Sequence, residues 1–383
     1  MTYRTRTAAG IALAIAACGL GACSSPPAAK LAITVTRGAC GDTWRASGGE
    51  QTFQVTNGDI VTTEVQLTNP ANGGVYAEVE ALAPNATRPM QVRLGHGTYA
   101  FRCYPEDSDA VNGPSITVTT GSATGSAAVK PVDNVDLAPS IKAYSAYVTT
   151  GLGTLATTAT ALQSTLSHGT RTQAEHAWLT ANLAYNRLGA AYDTFGDAGD
   201  AIDGLPDGLP GGVHDPDFTG LRRIEYGLWH GEALPSLVAL AGKLGDDIAG
   251  LRKDWPTEQI DPNDLPLRAH EILENALQFE LTGSADEGSG TSLATALANV
   301  DGTQHVLDAL APLMSTRYTA WPQLATYMAT ARTALAVAQR HDGSWTPVGD
   351  LPTAARQRID AAVGGLLEAL APIAAIGDVR REK

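Results

Sequence analysis

The sequence predicts a multidomain chain, an N-terminal β-sandwich followed by an all-α helical-bundle domain. Three observations predict it. Seven short alternating runs, separated by glycine-rich turns, fill residues 31–120. A Gly/Ser/Ala/Pro-biased stretch follows at 121–136. Beyond it the chain switches to long Ala- and Leu-rich segments with helical period over 137–380.

Ahead of these domains, Arg4 and Arg6 precede an apolar run from Ala8 to Ala17 that closes in Leu20-Gly21-Ala22. A basic start, a short apolar centre and small terminal residues are the layout of a secretory signal peptide, here residues 1–22. Leu20-Gly21-Ala22-Cys23 is also similar to a bacterial lipobox, which implies lipid on Cys23 and a tether over 23–30. The expectation is an exported protein, lipid-anchored to the outer face of the bacterial cell membrane through Cys23. Cys18 leaves with the signal, so Cys40 and Cys103 remain and read as one disulfide of an exported domain. No later segment reads as long and apolar enough to span a bilayer.

Loss of residues 1–22 removes two arginines and no acid, leaving 24 basic against 40 acidic side chains, a net charge of −16. Such a surface repels nucleic acid and attracts cations, so no nucleic-acid partner is expected.

The strand runs are Leu31 to Thr36, Thr52 to Thr56, Ile60 to Thr68, Val75 to Leu82, Met90 to Leu94, Thr98 to Cys103 and Ser115 to Thr119. Asn57-Gly58, Asn72-Gly73-Gly74, Gly95-His96-Gly97 and Asn112-Gly113-Pro114 supply turns. Residues 121–136 read as a linker. Helices are expected at about 138–167, 172–195, 217–230, 234–254, 264–282, 289–313, 317–340 and 351–376.

Chemistry concentrates in the helical half. Tyr185, Phe195-Gly196-Asp197, Asp200, Ile202-Asp203 and the run Asp215 to Trp229 occur in order, followed by Leu281-Thr282-Gly283 and Ser289 to Gly302. In these motifs the chain resembles the imelysin-like iron-uptake proteins of the EfeO/EfeM family over most of its length. The resemblance implies an imelysin-like domain of two tandem helical bundles, preceded by a cupredoxin-like β-sandwich whose nearest match is Gly97-Thr-Tyr-Ala-Phe-Arg-Cys103. A blue-copper site needs two histidines, a free cysteine and usually a methionine. His96, Met90 and two cysteines suited to a disulfide do not supply it, so copper is not expected.

The family motif reads like Gly-Phe-His-x-x-Glu, whose two polar residues share a helix face and reach one ion. Here the His position falls on Arg222 and the carboxylate is Glu225. In the later run Gly290, Ser292 and Thr295 stand where the family carries His, Asp and Asp. A family glutamate falls on Asn275, beside Glu274. Asp203 and Glu225 are therefore the remaining metal-ligand candidates by resemblance, for Fe2+ or Fe3+.

Arginine has no lone pair to offer a metal. Three residues before Glu225, Arg222 is placed to pair with it or to bridge to Asp203, bringing the positive charge an ion would otherwise supply. It either closes the pocket or recognises a carboxylate of a chelated iron complex; the plainer alternative is a surface pair worth under ~1 kcal/mol. His270 and Glu274, four apart on the expected helix Leu265 to Leu281, share a face and are further metal candidates. His214 and His230 flank the signature.

By resemblance the function is a membrane-anchored extracytoplasmic component of an iron-uptake system, which binds or hands over iron to a permease, with a haem peroxidase as a further partner. The alternative is a metal-free scaffold or adaptor of the same fold. A metallopeptidase is the third reading, but His270-Glu271-Ile-Leu-Glu274 ends in glutamate rather than the second histidine of a zincin, so no enzyme is expected.

Overall fold

The computed structural model describes residues 30–380. The expected signal peptide, Cys23 and all but the last residue of the tether lie outside them.

The N-terminal half comprises β1 (Lys30–Thr36), β2 (Ala39–Cys40), β3 (Gly49–Asn57), β4 (Thr63–Thr68), β5 (Val75–Leu82), β6 (Thr87–Leu94), β7 (Gly97–Pro105), β8 (Val111–Asn112) and β9 (Ile116–Val118). They form two sheets, in the orders β2-β1-β3-β6 and β5-β4-β7-β8, with β9 also on β7. β1 runs parallel to β3, and the other pairs are antiparallel. Alternation fixes the faces: on β6, Met90, Val92 and Leu94 are buried while Gln91 and Arg93 face outward. Trp44, Phe53 and Phe101 meet edge to face at 5.1 to 5.9 Å between the sheets. The expected Cys40–Cys103 disulfide is present and joins β2 of one sheet to β7 of the other. Both sulfurs are thus spent on each other, and Met90 lies in the core.

The stretch read as a linker is hydrogen-bonded along the sandwich. Ser122 N donates to Gly48 O at 3.1 Å, Ser126 N to Arg93 O at 2.7 Å and Val129 N to Val75 O at 2.8 Å. Small residues here serve close backbone approach rather than a free spacer.

The helical half contains α1 (Asn134–His168), α2 (Arg171–Asn186), α3 (Tyr192–Phe195), α4 (Asp197–Asp203), α5 (Gly220–Trp229), α6 (Leu234–Asp254), α7 (Asp264–Asn275), α8 (Ser292–Met314), α9 (Trp321–Ala336) and α10 (Thr353–Gly377). Along α1, Leu152, Leu155, Ala159, Leu162 and Leu166 form one buried stripe at helical spacing. Helices α1, α2, α5 and α6 pack together, as do α7 to α10, and α8 also rests on α1 and α2. One apolar core therefore runs through both groups.

Two sequence expectations are corrected. The helix expected over 172–195 breaks after Asn186. Tyr147 Oη donates to the Arg187 carbonyl at 3.0 Å, and Gly302 of α8 lies tight against the same carbonyl. That acceptor is no longer free to continue the helix. The second concerns α10, which by length and composition is apolar enough to cross a membrane. In the fold it buries Ile359, Val363, Leu366, Leu370 and Ile373 against its neighbours and turns Arg356, Arg358, Asp360 and Glu368 outward, as an amphipathic helix does.

The domains are clasped at the C-terminal end of the described chain. Arg380 N donates to Val132 O at 2.9 Å, and its buried guanidinium grips both carboxylate oxygens of Glu78 on β5 at 2.9 and 3.1 Å. Glu80 and Asp378 lie beside Glu78.

Candidate functional site

The joint between α4 and α5 sets up the site, which lies between the two helix groups. Asp203 is the last residue of α4. Thr219 Oγ1, at the N-cap of α5, donates to Ala201 O at 3.2 Å, and Gly220 follows with φ +74°. A Cβ on Gly220 would overlap the Ile202 carbonyl, so only glycine allows α5 to start this close to α4. Trp178 Nε1 donates to Leu221 O at 2.8 Å and fixes the first turn of α5. Arg222 in this turn and Glu225 in the next point inward from the same face.

A third carboxylate arrives from the other helix group. After α7 the chain takes a π-turn, Ala276–Glu280, with Leu281 N donating to Ala276 O at 2.9 Å. Glu280 closes this turn and, on the face of buried Leu273 and Ala276, reaches Arg222. The following loop holds the cluster through its backbone: Ala285 O accepts from Arg222 Nη1 at 2.7 Å, while Glu287 N and Ser289 N donate to Glu225 Oε1 at 3.2 and 3.3 Å. Asp286 braces the loop by accepting from Gly288 N, Gly290 N and Ser292 Oγ at 2.8, 3.0 and 3.0 Å.

Arg222 thus stands among three acids. Its Nε is 3.2 Å from Asp203 Oδ1, its Nη1 3.6 Å from Glu225 Oε2 and its Nη2 3.5 Å from Glu280 Oε1. Side-chain exposure is 7% for Arg222, 11% for Asp203, 0% for Glu225 and 6% for Glu280. Burial pushes the carboxyls up, Asp203 to about 6, Glu280 to about 7 and Glu225 to about 8, and Arg222 only partly opposes this. Burial also disfavours charge on Arg222, but Asp203, Glu280 and Glu225 more than reverse it, so it stays protonated. The asymmetry is stoichiometric: the arginine gains from three acids, while the acids share one cation. Asp203 Oδ1, Glu225 Oε2 and Glu280 Oε2 are buried without a hydrogen-bond donor.

The cluster borders a cavity of about 270 Å³ lined by Asp203, Arg222, Glu280, Tyr192, Asn275 and Asn299, among others. A larger cavity of about 900 Å³ adjoins it through the shared residues Tyr192, Asp203, Leu205 and Phe279. Exposed Asp200, Asp207 and Asp217 line this outer chamber, and its Lys243 is already paired with Asp247 at 2.7 Å. An acidic chamber leading to buried, donor-poor carboxylates favours a cation.

Asp203, Arg222 and Glu225 are therefore brought together. His270 and Glu274 are not part of the cluster. Their Nδ1 and Oε2 atoms lie 3.8 Å apart on the outer side of α7, with side chains 24% and 60% exposed, and neither lines the two cavities. His230 stacks on Tyr226 at 4.0 Å, and His214 meets the same ring at 6.3 Å edge-on. Gly290 has φ +68° and sits against Pro347, Ser292 serves Asp286, and buried Thr295 accepts from Asn182 Nδ2 at 3.1 Å.

Glu280 was missed. Helical period over 264–282 places it on the face of Leu265, Ala269, Leu273 and Ala276, all of them buried. The available signal was a lone carboxylate in Ala276-Leu-Gln-Phe-Glu-Leu-Thr-Gly283, an otherwise uncharged stretch.

Comparison with known proteins agrees with the motifs. The profile of the imelysin family (peptidase M75) matches residues 140–373. Similar curated proteins include the iron uptake system component EfeO of Escherichia coli (strain K12), of Escherichia coli O157:H7 and of Shigella flexneri. Each is 27% identical over 238 residues, covering 62% of this chain and 62% of the relative. The chain thus spans about 62% of the length of the curated relatives it matches.

Proposed function

The chain belongs to the imelysin family, and on that premise we propose that it is an exported component of an iron-uptake system that binds or hands over iron at the Asp203–Glu225–Glu280 cluster. The observation that carries this reading is the ratio of three buried carboxylates to one guanidinium, with a donor-less oxygen on each acid. Such oxygens suit hard Fe3+ and also serve borderline Fe2+. The acidic outer chamber supports a cationic cargo by the same electrostatics. Anchoring through a Cys23 lipid, delivery to an iron permease and cooperation with a haem peroxidase belong to this proposal through the family resemblance.

In this proposal the cluster binds its cargo and performs no reaction on it. Its cluster offers carboxylates and an arginine but neither a nucleophile beside a base nor the two helical histidines of a zincin. Radioactive iron accumulation in cells lacking the protein tests the function. The wild-type gene should restore uptake, and the double variant Asp203→Asn/Glu280→Gln should fail while reaching the same protein level. Full uptake by that variant contradicts the role of the cluster. A metal-free adaptor is the reading that would then stand.

A further inference from the structure

The contacts around Arg222 are looser than its surroundings call for. Charge-assisted hydrogen bonds run at about 2.7–2.9 Å, yet its carboxylate contacts are 3.2, 3.5 and 3.6 Å. Its Nε has no hydrogen-bond partner, and the well-formed bond it makes goes to the neutral Ala285 carbonyl at 2.7 Å. A guanidinium is a wide plate, so the acids around it stand apart. Among the described residues, the group of three carboxylates with oxygens within 4.8 Å of one another is Glu78, Glu80 and Asp378 at the domain clasp, not the trio around Arg222. To hold an ion the trio would have to close inward, into space that the guanidinium now fills. The 270 Å³ cavity alongside, with the carboxamides of Asn275 and Asn299 in its wall, leaves room for the guanidinium to shift.

We propose that Arg222 is a displaceable resident counter-ion, which competes with the cargo cation for Asp203, Glu225 and Glu280 and so keeps the site weak and exchangeable. This rests on the reading of the cluster as a cation site. While the site holds no cargo, Arg222 offsets part of the buried negative charge. When a cation enters, the two positive charges repel across a few ångströms of poorly screened space, and Arg222 withdraws towards the cavity. Part of the cation's binding energy is spent on that displacement, which suits a protein that must release what it captures. The loop at Ala285, tied to Arg222, would be freed at the same moment.

The test compares Fe(II), with Mn(II) as a redox-stable probe, binding to wild type, Arg222→Gln and Arg222→Met by anaerobic calorimetry at neutral pH. The neutral variants should bind tighter by roughly 100-fold, with slower release, because a like charge next to the cation has gone. In Arg222→Ala, free guanidinium ion at millimolar concentration should return the affinity to the wild-type value. This arm keeps the idea testable if a variant folds only with a cation present. Equal or weaker binding by the variants overturns the counter-ion role and leaves the cation site standing. Binding by the variants alone supports the competition but contradicts the cargo reading, and binding by none overturns both.

Discussion

Arg222 Nε lies 3.2 Å from Asp203 Oδ1 because Gly220, between them in the chain, lets α5 begin against the last turn of α4. The pairing of charge in this pocket thus depends on a backbone position two residues away. The ion pair contributes specificity more than stability, since burying it costs several kcal/mol of lost hydration per charge.

Gly220→Ala should therefore damage both fold and site. The added Cβ meets the Ile202 carbonyl, and φ of +74° is strained for any L side chain. A loss of about 3 kcal/mol is expected. Thermal unfolding followed by circular dichroism should show a midpoint lower by roughly 6–12 °C. An unchanged midpoint would show that the α4–α5 joint is not as tight as described.

Stability should depend on pH in an unusual direction. Folded Asp203, Glu280 and Glu225 hold protons up to about 6, 7 and 8, well above the unfolded carboxyl range. Raised acid values mean that the folded state binds more protons than the unfolded one. Their contribution is thus complete below about pH 4 and is lost as pH rises through about 8. Between about pH 5 and 8 the metal-free protein should lose roughly 8 kcal/mol from this cluster, at about 1.4 kcal/mol per pH unit for each group that gives up its proton. Glu225→Gln, which keeps an acceptor for Glu287 N and Ser289 N, should flatten the slope in melts across that range. Parallel wild-type and variant profiles would contradict the assigned shifts.

Reducing the Cys40–Cys103 disulfide should affect the sandwich far more than the helices. The bridge spans 63 residues of chain, which corresponds to about 4 kcal/mol of unfolded-state entropy. The sandwich transition should fall by about 15 °C or more, with the helical far-UV signal retained. Loss of both signals together would mean that the domains unfold as one unit.

The clasp at Arg380 is open to a separate check. Its bonds to Glu78 cross from the end of the helical half to β5. Arg380→Ala should loosen the seam, raising the radius of gyration in solution scattering and speeding protease cleavage within 121–133. Because removing one partner strands the half-buried charge of Glu78, Arg380→Ala should be more harmful than the double change with Glu78→Gln. Equal protease resistance in wild type and variants would show that other contacts hold the seam.

Much of this architecture was legible in the residues. Alternation such as Met90-Gln-Val-Arg-Leu94 fixes a strand face, and the stripe of α1 fixes a helix face, because burial of one side is the dominant favourable term. Asp203, Arg222 and Glu225 were legible as candidates through resemblance and helical spacing. Glu280 was legible too, as a carboxylate seven residues after Leu273 and four after Ala276 on the apolar face of the helix, but the resemblance placed no ligand there. His270 and Glu274 share a helix face as their spacing requires, but spacing does not say which way that face points. The break after Asn186 was hidden for a similar reason, since the groups that take the Arg187 carbonyl environment, Tyr147 and Gly302, are distant in sequence.

The central claim is that Asp203, Glu225 and Glu280 form one cation site, and equilibrium dialysis of the purified protein against Fe(II) under anaerobic conditions tests it most directly. The account predicts saturable binding near one ion per chain, weakened roughly 10-fold or more by each of Asp203→Asn, Glu225→Gln and Glu280→Gln and left intact by His270→Ala. Binding unaffected by the three carboxylate changes, or absent from the wild type at micromolar iron, would contradict it.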